Sequence, residues 1–210
     1  MLTTMNTFYN RYELKYIIDM PTYLNIRKEL QALFKKDPAA GKRGKYDVIS
    51  VYYDTPHLDY FWEKIAGEEN RIKIRLRTYH SHDHAPSERK KQAVFLEIKK
   101  KKNKNIYKKR VVLDHNTAST LLQQSSNPAH FSKALMDTTI KEVDYVKTIT
   151  KLKPTMVISY TREPFVAADH LPVRITFDSN VRYRHQNFSL LTQHSNKHVL
   201  SPRHIIMEIK

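Results

Sequence analysis

The segment Arg71-Ile-Lys-Ile-Arg-Leu-Arg77 alternates basic and aliphatic residues without a break. A β-strand sends successive side chains to opposite faces, which puts Ile72, Ile74 and Leu76 on one face and Arg71, Lys73, Arg75 and Arg77 on the other. Cations two residues apart repel one another, and a solvated strand face ordinarily mixes signs. Four in a row therefore point to a polyanion opposite them. The residue types suit phosphate, because Arg grips its oxygens bidentately and Lys acts as a point charge.

Four more segments share the design of an apolar face backed by an ionic one. They are Phe95-Leu-Glu97-Ile-Lys99, Val173-Arg174-Ile-Thr176-Phe-Asp178, Ile206-Met-Glu208-Ile-Lys210 and Arg11-Tyr-Glu13-Leu-Lys15-Tyr-Ile17. The plain alternative is a set of amphipathic strands with solvated outer faces. The dominance of Arg and Lys, with Glu recurring two positions before Lys, weighs against it. If the ionic faces turn inward in a barrel, they line a polar tunnel, and about eight strands leave room for one slender ligand. Enclosed cations are costly through desolvation and repulsion, and a linear polyanion would offset that cost. Carboxylates among them could hold a divalent cation, and hard oxygen donors suit Mg²⁺ or Mn²⁺ rather than zinc.

The elements that must position these faces are mixed, without a βαβ alternation. Residues 21–36 read as a helix opened by Pro21, with Leu24, Leu30, Leu33 and Phe34 as its apolar stripe. Residues 37–45 read as a loop, 48–53 as a strand and 57–66 as a short aromatic helix. After the basic strand, residues 80–91 read as an exposed loop. Strands at 93–101 and 106–113 form a hairpin around Asn103-Lys104-Asn105. Helix follows over 117–124 and 131–152, and strands return at 154–160, 172–178, 181–185 and 198–210. The fold class is α+β, mainly antiparallel, in a single domain.

Lys and Arg number 37 against 21 acids, a net charge of +16 over 210 residues. Such an excess attracts phosphate-rich partners. With no cysteine, disulfides and thiolate metal sites are excluded. No run has the length of a transmembrane helix, and residues 1–9 lack the features of a signal peptide. A soluble, cytoplasmic protein is the expectation.

The same residues resemble the triphosphate tunnel metalloenzymes, and within them the VTC domain, the polyphosphate polymerase branch of this CYTH-like superfamily. The matching motifs are Arg11-Tyr-Glu-Leu-Lys-Tyr16, Tyr52-Tyr-Asp-Thr55, Ile74-Arg-Leu-Arg-Thr-Tyr79, Leu96-Glu-Ile-Lys99, Lys108-Lys-Arg110, Tyr160-Thr-Arg162, Val173-Arg-Ile-Thr-Phe-Asp178 and Glu208-Ile-Lys210. Each is weak alone, but they occur in family order along essentially the whole chain. The resemblance implies an eight-stranded antiparallel barrel, the triphosphate tunnel, with helices outside. It implies catalytic roles for Lys15, Arg75, Arg77, Lys99, Arg162 and Arg174. Lys73, Lys101, Lys108, Arg110 and Tyr160 would bind substrate. Glu208 would be the principal metal ligand, with Glu13 or Glu97 assisting or holding neighbouring cations in place. VTC domains ordinarily continue past the last Glu-x-Lys strand into a further basic segment, which a domain ending at Lys210 would lack.

The activity implied is transfer of the γ-phosphate of ATP onto a polyphosphate chain, with Mn²⁺ or Mg²⁺ as cofactor and nucleoside triphosphate and inorganic polyphosphate as partners. Hydrolysis of tripolyphosphate or an organic triphosphate in the same tunnel is the first alternative. A non-catalytic module binding polyphosphate or nucleic acid is the second. A hydrolase must orient a water, and no residue stands out for that. Other features are weaker. His80, His82 and His84 alternate, as metal ligands can, but their neighbours argue for a loop. The lysines of 99–104 could form a nucleic-acid patch, yet Glu97, Lys99 and Lys101 continue the ionic face to a tunnel rim. Tyr60-Phe-Trp62 could stack bases, though core packing suits a short amphipathic helix better. With only three glycines, a phosphate loop of the P-loop type is excluded.

Overall fold

The alternating segments become strands of one antiparallel sheet. The computed structural model describes residues 7–8, 13–83, 85–103, 105–122, 138–167, 173–191 and 196–210. Its strands are β1 (Thr7–Phe8), β2 (Leu14–Asp19), β3 (Phe34–Lys36), β4 (Tyr46–Asp54), β5 (Arg71–Ser81), β6 (Val94–Lys102), β7 (Asn105–Leu113), β8 (Lys153–Ala167), β9 (Arg174–Arg184), β10 (Lys197–His198) and β11 (His204–Ile209). The helices are α1 (Met20–Leu33), α2 (Asp59–Ile65), α3 (His115–Leu122) and α4 (Thr138–Thr150). The strand order is β1-β7-β6-β5-β4-β8-β9-β11-β2, with β3 added to β8 and β10 to β9. Eight strands have six or more residues, as the barrel expectation requires, and β1, β3 and β10 are short additions.

The sheet curls like a barrel without a direct ladder between β2 and β7 among the described residues. One N-terminal segment holds both edges. Phe8 pairs with Tyr107 on β7, and Leu14 pairs with Ile209 on β11. Six residues of chain reach at most about 20 Å, so the two edges stand within that distance there.

The convex face is apolar. Ile49, Val51, Ile74, Leu76, Leu96, Ile98, Val111 and Val157 form the main core with Ala118, Leu121, Ile140 and Val143 of α3 and α4. A second core sets Tyr23 and Leu30 of α1 against Phe165, Phe177 and Ile205. Between these layers and the solvent, Glu163 is buried and binds Tyr23 Oη at 2.5 Å and Arg27 Nε at 2.9 Å, which ties α1 to β8.

Several predicted bounds change. The first helix stops at Leu33, because Phe34 turns into the α1 core and pairs its backbone with Ala167 of β8. Its buried stripe is Tyr23 and Leu30 with Ile26, while Leu24 and Leu33 are exposed. The strand predicted over 154–160 continues to Ala167 through Pro164. On one side of β8, β4 pairs no further than Arg162 and β3 begins at Phe165, so Pro164 stands where that side has no ladder partner. The strands predicted at 172–178 and 181–185 are one strand, β9, whose extra residue is absorbed by a bulge at Asn180 with φ 53°. His80 and Ser81 are not loop but the end of β5, because β4 pairs with it as far as Ser81. Of the second half of the chain, the helix expected from 131 is described from Thr138, and 131–137 lie outside the described residues, as do His84, Lys104 and Arg11. No helix among the described residues is long and apolar enough to cross a membrane.

Asp54 anchors α2 at the end of β4. Its carboxylate accepts from the backbone N–H groups of Thr55, Tyr60 and Phe61 at 2.8–3.0 Å. Asp54→Ala should cost about 2 kcal/mol in urea unfolding by stripping acceptors from a helix start, with Asp54→Asn recovering about half.

Candidate active site in a cationic tunnel

Cross-strand register decides which side chains meet on the concave face. Across β4, β5, β6 and β7 one row runs Tyr52, Arg75, Glu97, Arg110. The next row runs Lys73, Lys99, Lys108, and beyond it Lys101 stands opposite Arg71. On the other wall Arg162 of β8 pairs with Asp178 of β9, and Thr176 with Glu208 of β11, which pairs with Lys15 of β2. The walls sense each other. Burial lowers the pKa of Lys99, and Glu13, Lys15 and Lys210 act on it through space although β6 and β2 lie far apart in the sheet order. The sequence-predicted site residues therefore gather on one enclosed face.

Two buried carboxylates organise that face. Glu97, 2% exposed, accepts from Arg75 Nε at 2.7 Å and Arg110 Nε at 2.7 Å, and Lys108 Nζ lies 3.0 Å away. Burial pushes its carboxyl up, but Arg75, Arg77, Lys108 and Arg110 together hold it well below the usual carboxylate range. Glu208, 3% exposed, faces Lys210 Nζ at 2.8 Å, Arg162 Nη2 at 3.2 Å and Lys15 Nζ at 3.3 Å. Burial raises its carboxyl as well, while a hydrogen bond shared with Glu13 and the ammonium groups of Lys210 and Lys15 bring it down below that range.

The remaining cations differ in what holds them. Arg162 is fixed bidentately by Asp178, with both contacts at 2.6 Å, and stacks over Tyr160 at 5.2 Å. Arg174 reaches Asp37 at 2.7 Å and is partly exposed at the rim. Arg77 is buried, and its Nε donates to Ser50 Oγ at 2.9 Å. Among the described residues Arg77, Lys73, Lys99 and Lys101 have no ion pair with a carboxylate. Beyond Arg77 the lining turns aromatic, where Tyr46, Tyr79 and Phe95 meet edge to face and Val48 and Tyr160 join them. Tyr52 and Tyr79 stand at the ends of two of the matching motifs but receive no role from the sequence, and Ser50 and Asp37 are not singled out by it, because none carries the Glu-x-Lys or Arg-x-Arg signature. Their even spacing with Tyr46 and Val48 along β4 could have found Ser50 and Tyr52.

The donor set tests the fit of a divalent metal. Among the described residues no three or more acidic, His or Cys side chains cluster as a protein-only cage. Glu13 and Glu208 nevertheless face the same two ammonium groups, since Lys15 lies 2.8 Å and Lys210 3.6 Å from Glu13. Two carboxylates arranged around a shared cation fit Mg²⁺ or Mn²⁺, which take one or two carboxylates and complete their shell with substrate phosphates and water. Both oxygens of Glu97 already face guanidinium or ammonium groups. His80, in contrast, is buried and its ring is pushed down to about 4, so it is neutral, and His82 pairs with Asp47 at 2.9 Å.

Glu97 and Glu208 have depressed pKa values in the folded protein, so their stabilisation is complete above about pH 4.5, the unfolded range, and is lost as pH falls through the folded values. Thermal stability should be flat from neutrality to about pH 5 and fall below about pH 4.5. Glu97→Gln should cost about 3 kcal/mol at pH 7 by leaving Arg75, Arg110 and Lys108 uncompensated, and millimolar tripolyphosphate should restore much of it.

Comparisons with known proteins agree with this geometry. A candidate adenylate cyclase from Bacillus halodurans superposes with a TM-score of 0.54 at 11% identity, over 94% of this chain and 78% of that one. A candidate adenylyl cyclase from Hippeastrum, described as having a dominant triphosphatase activity, gives 0.52 at 10% identity, over 94% and 77%. No curated protein matches the sequence significantly. The shared architecture is the triphosphate tunnel fold. Residues 10–210 match the VTC domain, and with the ordered ionic strands in place the chain belongs to the VTC domain family.

Proposed function

We propose that this protein is a metal-dependent phosphotransferase that moves the γ-phosphate of ATP onto the end of a polyphosphate chain inside the tunnel. The observation that carries the proposal is the unpaired charge on the concave face. Buried Arg77 and the lysines 73, 99 and 101 have no carboxylate of their own among the described residues, in a wall already crowded with cations. A threaded phosphate chain supplies the missing negative charge along the whole row.

In the reaction, a terminal oxygen of the acceptor chain attacks the γ-phosphorus of ATP. The bond from that phosphorus to the β–γ bridging oxygen breaks, and ADP leaves with the electron pair. The acceptor oxygen is already ionised at neutral pH, so no general base is required. The protein's work is in-line positioning and spreading of positive charge about the transferring group. Arg75 and Arg110, aimed by Glu97, would hold one segment of the chain, and Arg77 the next. Arg162, aimed by Asp178, and Lys15 would hold the phosphates on the opposite wall. Lys73, Lys99, Lys101 and Lys108 would form the path at the cationic mouth, with Tyr160 a donor to phosphate and Arg174 a contact at the rim. Glu208 and Glu13 would hold the metal, which supplies Lewis-acid polarisation of phosphate oxygens. Glu97 would serve as the holder of cations.

The carboxylates of this face favour transfer over hydrolysis. Glu97 and Asp178 are each engaged by guanidinium groups, and Glu208 and Glu13 are assigned to the metal, so this reading gives none of the four the task of orienting a water.

Incubation with ATP and Mn²⁺ or Mg²⁺, with products resolved by chain length, should give ADP and a ladder of long chains. Glu208→Gln should lower that turnover by about a hundredfold or more while tripolyphosphate binding persists. Free phosphate without chains would assign the tunnel to hydrolysis, and neither product would leave it a polyanion-binding module.

A further inference from the structure

Tyr52 lies at the centre of the ionic row and has no part in the roles set out above. It sits on the tunnel face of β4, opposite Arg75 of β5 and Met156 of β8. Its hydroxyl oxygen accepts from Arg75 Nη1 at 3.1 Å. Lys73 Nζ lies 5.5 Å and Arg75 Cζ 5.8 Å from its ring centre. A phenol that accepts from a guanidinium still has its own proton to give, and a guanidinium cannot take it. Among the described residues no acceptor receives that proton.

The charged and titratable groups around it come from three strands. Lys73, Arg75 and Arg77 face it from β5, Tyr160 faces it from β8, and Glu97 stands behind Arg75 on β6. Glu97, the nearest carboxylate in this row, is committed to Arg75, Arg110 and Lys108. Burial pushes the Tyr52 phenol up, but Arg75, Arg77 and Lys73 bring it down to about 8. The site therefore presents an acidic O–H donor, fixed by Arg75, inside a wall whose cations outnumber its one carboxylate, Glu97.

We propose that Tyr52 is a phosphate-binding residue, donating its O–H to a phosphate oxygen of the chain held by Arg75, Arg77 and Lys73. This rests on the tunnel reading and assigns it one more contact. It also carries a pH dependence of its own. Loss of the phenolic proton removes the donor and sets a negative charge against the phosphate, so anion binding weakens on the alkaline side by more than Lys73, Lys99 and Lys108 account for. Burial lowers the pKa of all three, and they titrate in Tyr52→Phe as well as in wild type.

The test is calorimetric titration of tripolyphosphate into wild type, Tyr52→Phe and Arg77→Gln at pH 7 and pH 9. Tyr52→Phe should bind about tenfold more weakly at pH 7, the usual effect of deleting a hydrogen bond to a charged group. Wild type should lose about tenfold in affinity between pH 7 and pH 9, the loss expected when only the protonated phenol binds, and Tyr52→Phe less than about threefold. In wild type one tyrosine should titrate near pH 8 in the near-ultraviolet phenolate band, be missing in Tyr52→Phe, and move to higher pH with saturating tripolyphosphate. If Tyr52→Phe matches wild type at both pH values while Arg77→Gln weakens binding, the Tyr52 contact is wrong and the tunnel stands. If Arg77→Gln binds like wild type, or wild type does not bind, the tunnel reading falls and the Tyr52 contact with it.

Discussion

Like-charge repulsion across the concave face is the constraint around which this protein is built. Curling a sheet whose inner positions are Arg75, Arg77, Lys99, Lys108, Arg110, Arg162 and Lys15 brings cations from opposite edges within range of each other, as Lys99 and Lys210 demonstrate. At the short separations of a partly desolvated interior, such contacts are poorly screened. Glu97 and Glu208 answer that on the two walls, each nearly removed from solvent and each bound by three cations. Their effect is also geometric. A guanidinium fixed by a carboxylate on one edge keeps its other N–H groups in a defined direction, which is the pre-organisation that phosphate recognition and charge stabilisation require.

Curvature is held from outside as well. On β8 two neighbouring residues carry opposite duties, since Arg162 turns inward to Asp178 and Glu208 while Glu163 turns outward to Tyr23 and Arg27 of α1. On the convex side of the hairpin, Glu142 of α4 pairs with both Lys100 and Lys109, which clamps the helix across β6 and β7. Lysines of the same run thus divide by parity, with Lys99 and Lys101 on the tunnel face and Lys100 on the convex face with α4. This division separates the structure from a solvated nucleic-acid patch, in which all of them would project together.

Much of this was legible because a strand's two-residue period survives any tertiary context. Arg71–Arg77, Leu96–Lys99 and Ile206–Lys210 fix which residues face inward once the core side is known, and the ordered motifs carried the antiparallel class and the eight long strands. What escaped did so for identifiable reasons. Phe34 follows an apolar helix smoothly in sequence, and only the side of β8 next to β3 makes it a strand. The strand expected over 154–160 runs on through Pro164, which pairs with Thr176 of β9 on one side and has no ladder partner on the other. His80 has polar neighbours in sequence but pairs with β4 in space. Spacing alone does not separate Glu97 from Glu208, because both occur as Glu-x-Lys. The family resemblance sets Glu208 apart as a metal ligand, and in the structure the two differ in the kind of cation around them, two guanidiniums and one ammonium at Glu97 against one guanidinium and two ammoniums at Glu208.

The central claim is that polyanions bind on the concave face rather than along the outer lysines. A crystal structure of the protein with tripolyphosphate would decide between the two. Phosphates should lie between Arg75 and Arg77 on one wall and Arg162 and Lys15 on the other, with Glu97 still bound to its cations. Phosphates seated on Lys100, Lys102 and Lys109 with the interior unchanged would contradict it.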